Sequence, residues 1–215
     1  MYDLARGPLV WMAFAAFLVG AAWKLWSRLA LARKDKVVYP YMSARHGLRS
    51  ILHWVVPLGS RTMRLHPLFT LVSFAFHICL LLTPLLVVGH AVLWRESWHL
   101  SWWSLPAGLA DAMTLVVILG GAVFVLRRIA APEVRNVTTA SDYLLILVVV
   151  APFVTGFVAH HQWLPYRATL TLHILTGAIW IAAIPFTRLA HMLWFVFTRS
   201  YMGSEFGAVR NARDW

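Results

Sequence analysis

A chain of 215 residues that is 60% hydrophobic and 13% charged, with a mean hydropathy of +0.70, lies outside the range of a water-soluble domain. Its net charge of +11 does not point to nucleic acid, because the Lys and Arg residues sit between apolar runs and build no basic domain of their own. The one cysteine, Cys79, excludes an internal disulfide and a Cys-based metal or iron–sulfur site, and no G-x-S-x-G or G-x-x-x-x-G-K-[ST] motif supports hydrolytic or phosphoryl chemistry.

A bilayer core takes about 20 apolar residues per helix, and five runs of that kind follow one another. The first, residues 7–32, begins as Gly7 to Trp23 and extends by snorkelling of Lys24 and Arg28. Asp3 and Arg6 precede it and the basic cluster follows, an order that favours a retained helix with its N-terminus outside over a cleaved signal peptide. In the next loop Leu48, Ile51, Leu52 and Val55 recur at helical spacing while Arg45, Arg49 and His53 line another face, until Pro57 ends the pattern. This predicts an amphipathic surface helix, for lipid anchoring or for docking a partner. The remaining spans are expected at 65–94, 106–126, 143–163 and 168–198, giving an all-α integral membrane protein in one domain over 1–215. With the N-terminus outside and the C-terminus cytoplasmic, 15 of the 19 Lys and Arg residues fall on the inner side, against Arg6, Arg95 and Arg167 outside. Trp94, Trp98, Trp102, Trp103 and Trp163 stand where interfacial anchors belong.

Ionisable residues inside a membrane are costly and face a bundle interior or a cofactor. In the fifth span His173 and His191 are 18 residues apart, which on a continuous helix is five turns and a rise of about 27 Å, so both would project from one face near opposite surfaces. In the second span His77 and His90 are 13 residues apart, and an ideal helix would rotate them by about 220°, so Pro84 between them must kink or unwind it. Because the two spans run in opposite directions, His90 should meet His173 near the outer face and His77 should meet His191 near the inner one. Two stacked pairs of axial imidazoles are what two b-type haems need, and no C-x-x-C-H motif provides covalent attachment. His66 is a rival inner ligand, 11 residues before His77 on the same helical face, although it precedes Pro67 at the expected helix start, where a capping role is more usual. For any one histidine alone, an interhelical hydrogen bond or a proton path is the plainer reading.

These residues resemble the gamma subunit of respiratory nitrate reductase and its NarI-like relatives, the cytochrome b subunits of the Hmc, Tmc and Dsr complexes of sulfur-metabolising bacteria. Leu172-His173 followed by Pro185-Phe186-Thr187-Arg188-Leu189-Ala190-His191 is similar to the family's closing pattern, in which both histidines bind haem. Pro132-Glu133-Val134-Arg135 with Thr138, Thr139 and Asp142 is similar to its loop before the fourth span. Phe76-His77-Ile78 and Val88-Gly89-His90 are similar to its two ligand segments, with an intervening stretch three residues longer here. The resemblance implies a dihaem b bundle of five helices with an outer N-terminus, and menaquinol chemistry near the outer haem. Arg188, one turn before His191, would pair with a haem propionate or with lipid phosphate. His160 and His161 end the fourth span at the depth expected for the outer haem and could exchange protons with a quinol, with Asp111 a further candidate; outer-surface solvation is the plainer role.

The reading is an electron-transfer subunit, not a complete enzyme alone, in a bacterial inner membrane. It would pass electrons between the quinone pool and a cytoplasmic iron–sulfur subunit docked on the basic inner face, beside other membrane subunits and periplasmic multihaem cytochromes. The rivals are a haem-bearing relay without a quinone site, a haem-free structural anchor, and a transporter, which would favour charges or broken helices at the midplane.

Overall fold

The computed structural model describes residues 1–214, which contain helices and loops and no strand. In chain order the helices are α1 (Tyr2–Ala32), α2 (Ala44–Val55), α3 (Arg61–Leu65), α4 (Pro67–Leu86), α5 (Val88–Trp98), α6 (Ala107–Ala130), α7 (Pro132–Arg135), α8 (Ala140–His160), α9 (Tyr166–Ala183) and α10 (His191–Ser204). Five segments are long and apolar enough to cross a membrane: α1, α4, α6, α8 and Tyr166–Phe186. They coincide with the five expected runs, with shifted ends. Thr139 and Asp142 form a capping box that starts α8 three residues early, the Thr139 N–H donating to Asp142 Oδ2 at 2.8 Å. Arg127 and Arg128 do not end α6, since cations are favoured at a helix C-terminus.

Two of the expected spans are broken. The run 65–94 is not one helix: α4 stops at Leu86, Val87 is extended (φ −69°, ψ 135°), and α5 begins at Val88. Pro84 lies inside α4 three residues before the break and lacks the N–H that would bond to the carbonyl one turn earlier. The chain after α5 returns to cover the end of α4, the Leu105 N–H and Trp102 Nε1 each donating at 2.8 Å to the carbonyls of Leu86 and Leu85. The run 168–198 is interrupted as well. After α9 come two short 3₁₀ turns, Ile184–Phe186 and Arg188–Ala190, on either side of an extended Thr187 (φ −124°, ψ −173°). Pro185 removes a donor there, and Thr187 Oγ1 accepts the Leu189 N–H at 3.2 Å and donates to the Ala183 carbonyl at 2.9 Å, closing one helical segment and opening the next. His173 and His191 therefore do not share the one continuous helix on which their common face and rise of about 27 Å were expected.

The chain divides into two compact units. The first comprises Met1–Val10 with Val72–Trp180, and the second Trp11–Leu71 with Ile181 onward. In the first, glycines of α6 let its neighbours approach: a Cβ on Gly120 would stand 2.9 Å from Phe76, and one on Gly121 would stand 2.5 Å from Val150. Val117 is fully buried beside them, and Phe76 meets Phe124 edge-on at 4.8 Å.

In the second unit α2 packs on α10 through small residues. A Cβ on Gly47 would lie 3.0 Å from Ser200, and one on Gly203 would lie 2.5 Å from the His46 carbonyl oxygen. Polar bonds lock the seam: the Ser43 N–H donates to Ser204 Oγ at 3.0 Å, Ser50 Oγ donates to Asp214 at 2.5 Å, and Tyr201 donates to Asp35. The apolar stripe foreseen on α2 points elsewhere, with Leu48, Leu52 and Val55 more than half exposed. Gly20 of α1 gives room to the fifth-span break, because a Cβ there would come within 2.7 Å of both Pro185 and Phe186.

Candidate functional site

The break at Val87 has a local consequence. It interrupts the i→i−4 ladder, and the Pro84 carbonyl is taken by His90 Nδ1 at 2.7 Å. A carbonyl can only accept, so Nδ1 carries the proton and Nε2 keeps the lone pair that binds a metal. On α9, His173 Nδ1 donates to the Pro152 carbonyl of α8 at 2.9 Å, which sets the same tautomer. Gly156, one turn along α8, leaves space for that ring: a Cβ there would stand 2.9 Å from His173 Cε1 and 3.0 Å from Nδ1. Thr155 and Thr176 join α8 to α9 through their hydroxyls at 3.2 Å.

These contacts bring His90 and His173 together, with ring centroids 5.9 Å apart and planes 20° from parallel. An imidazole's metal-binding lone pair lies in its ring plane, so a metal held by bonds of about 2 Å on each side would sit between near-parallel rings whose centroids are roughly 6 Å apart, and the separation and tilt of this pair fit a bis-histidine metal. The carbonyl contact alone would not distinguish them, since His53 makes it too, with Arg49 at 2.8 Å. The separation and tilt of the two rings do.

The other expected ligands are placed separately. His77 lies in the first unit and is exposed, its Nδ1 donating to the Ser73 carbonyl at 2.7 Å. His191 lies in the second, also exposed, with Nδ1 donating to the Arg188 carbonyl at 2.9 Å, so the residue expected to hold a propionate orients the histidine through its backbone. His66 is exposed at the joint between α3 and α4.

Around His191 the second unit forms an open pocket of about 350 Å³, lined by Trp54, Trp194, Phe195, Thr198 and Arg199. Arg199 is buried, with its guanidinium stacked on Trp54 at 4.5 Å. Neither Arg199 nor Gly156 was singled out from the sequence. A cation eight residues after a histidine expected to be a ligand and a glycine in an apolar helix were the available signals.

Residues 60–166 match the family described as nitrate reductase gamma subunit. A protein of Nitratidesulfovibrio vulgaris is 37% identical over 215 residues, covering 98% of this chain and 95% of that relative. The chain belongs to the nitrate reductase gamma subunit family. It is a membrane cytochrome b subunit of a redox complex, and the family implies haem b, quinone and catalytic partners in general terms. The region matched to the gamma subunit contains His77, His90, Asp111, His160 and His161, while His173 and His191 lie beyond it.

Proposed function

We propose that this gamma-subunit relative holds two b-type haems in a bacterial inner membrane and passes electrons between the quinone pool and a cytoplasmic iron–sulfur partner. The observation that carries the reading is the approach of the near-parallel His90 and His173 rings to 5.9 Å between centroids, each ring fixed through Nδ1 by a helix carbonyl. When bound, haem supplies one-electron redox chemistry, and its potential depends on axial ligands and burial. His90 and His173 are the proposed ligands of the outer haem, with Gly156 keeping the ring space open. The sequence argument assigns His77 and His191 to the second haem. Arg199, buried beside His191, joins Arg188 as a propionate partner.

At the far end of α8, His161 Nε2 stands 3.3 Å from Asp111, which orients a base able to take a proton from a quinol, and His160 adjoins it. The excess of basic residues in the segments read as cytoplasmic supports an outer N-terminus and an inner docking face for an acidic partner, with further membrane and multihaem subunits completing the complex.

A pyridine haemochromogen assay on the purified subunit tests this. Two haems b per chain are expected, falling to one in His90→Ala and in His173→Ala and staying at two in His66→Ala. Retention of both haems in the first two variants sinks the assignment, and haem-free protein leaves the structural-anchor reading in its place.

A further inference from the structure

Three further donors converge at one end of the first unit. Asp111 stands in the second turn of α6, His160 is the last residue of α8 and His161 follows it; each brings one ligand atom to within 4.8 Å of the others. The His161 Nε2 to Asp111 Oδ2 distance is 3.3 Å. Zinc bonds of about 2.0–2.2 Å in tetrahedral geometry put neighbouring donors about 3.3–3.5 Å apart, so this pair already stands at the required edge length. His160 has to close by about 1.5 Å at most, which a rotation of its side chain supplies.

From this convergence we infer that Asp111, His160 and His161 form a binding site for a divalent transition-metal ion of the zinc type, with water as the fourth ligand. The donor set is two neutral imidazoles and one carboxylate, a nitrogen-rich and singly negative set that suits Zn(II) or Co(II) and disfavours Ca(II) and Mg(II). The side chains of His161 and Asp111 are 32% and 29% exposed, so an ion reaches them from solvent and keeps a water. The His161 ring is held for this role, stacked on Trp163 at 5.5 Å and walled by Phe157 at 4.5 Å. Gln162, in the left-handed region at φ 54°, turns the chain immediately after it. A bound ion occupies the lone pairs that would otherwise accept protons, so metal and proton compete for the same three groups.

The inference stands on the geometry of these side chains and not on the haem reading, and direct binding tests it. Untagged, purified protein is titrated with Zn(II) by calorimetry and with Co(II) by visible difference spectroscopy against the metal-free sample. One equivalent is expected to bind with tetrahedral Co(II) bands, weakening at least tenfold in Asp111→Asn, His160→Ala and His161→Ala and unchanged in His99→Ala, an exposed histidine outside the trio. Helicity and haem content identify any variant that misfolds, and Asp111→Asn, nearly isosteric, keeps the test decisive. No saturable binding below millimolar metal, or binding that survives all three substitutions, overturns the site.

Discussion

Glycine is used differently in the two units. On α8 of the first unit, Gly156 makes room for an imidazole, a ring on rotatable bonds. In the second, Gly203 of α10 makes room for the His46 carbonyl, a backbone atom that cannot turn aside, and serines and an aspartate close the seam around it. The first arrangement keeps a side chain presentable to something else, and the second fixes one helix against another. The contrast teaches that close approach in a membrane protein serves either a site or a scaffold, and that the identity of the nearest atom tells which.

The sharpest way to break this comparison is to fill both spaces. Gly156→Leu drives a branched side chain into the position of the His173 ring, so haem content is expected to fall from two to one per chain with the helical circular dichroism unchanged. Two haems in that variant would mean that the ring is not a ligand where it stands. Gly203→Ala is expected to leave haem content alone and to destabilise the protein by about 1–3 kcal/mol, read as a lower melting midpoint in detergent. Haem loss there at full stability would erase the distinction between site and scaffold.

Much of this was legible in the residues. Uncharged length announces five spans, because the bilayer leaves helices few alternatives, and depth along the spans places His90 and His173 at one level, where the structure has their ring centroids 5.9 Å apart. What failed was continuity. A run such as 168–198 reads as a single helix by composition, but Pro185 and the Thr187 hydroxyl end it through individual hydrogen bonds that no hydropathy window registers. The stripe Leu48, Ile51, Leu52 and Val55 gave α2 its helical period and is largely exposed, as a lipid or partner face would be, but it says nothing of how α2 packs on α10. The seam lies on Gly47 and Ser50, whose contribution is smallness and a hydroxyl rather than hydrophobicity.

The smallest expected effect tests the scaffold by its polar bonds. Asp35, just past α1, accepts the Tyr201 hydroxyl and the N–H groups of Val37 and Val38, and these bonds, the tyrosine first, hold its carboxyl below the usual range. Loss of solvent around Tyr201 and then the bond to Asp35 push the phenol up to about 12. A folded value above the unfolded one of about 10 means that the folded state holds the proton more tightly. The stabilisation is then fully present below about pH 10 and is lost as pH rises toward 12. An ultraviolet titration should contain a component near pH 12 that vanishes in Tyr201→Phe and moves down in Asp35→Asn, while the melting midpoint of Tyr201→Phe should fall less steeply between pH 10 and 12 than that of the parent. Asp35 sits at the surface, where water weakens such a pair, so the difference in slope should be slight. A titration unchanged by either substitution would remove this bond from the scaffold and leave the glycine and serine contacts of α2 and α10 to hold the second unit.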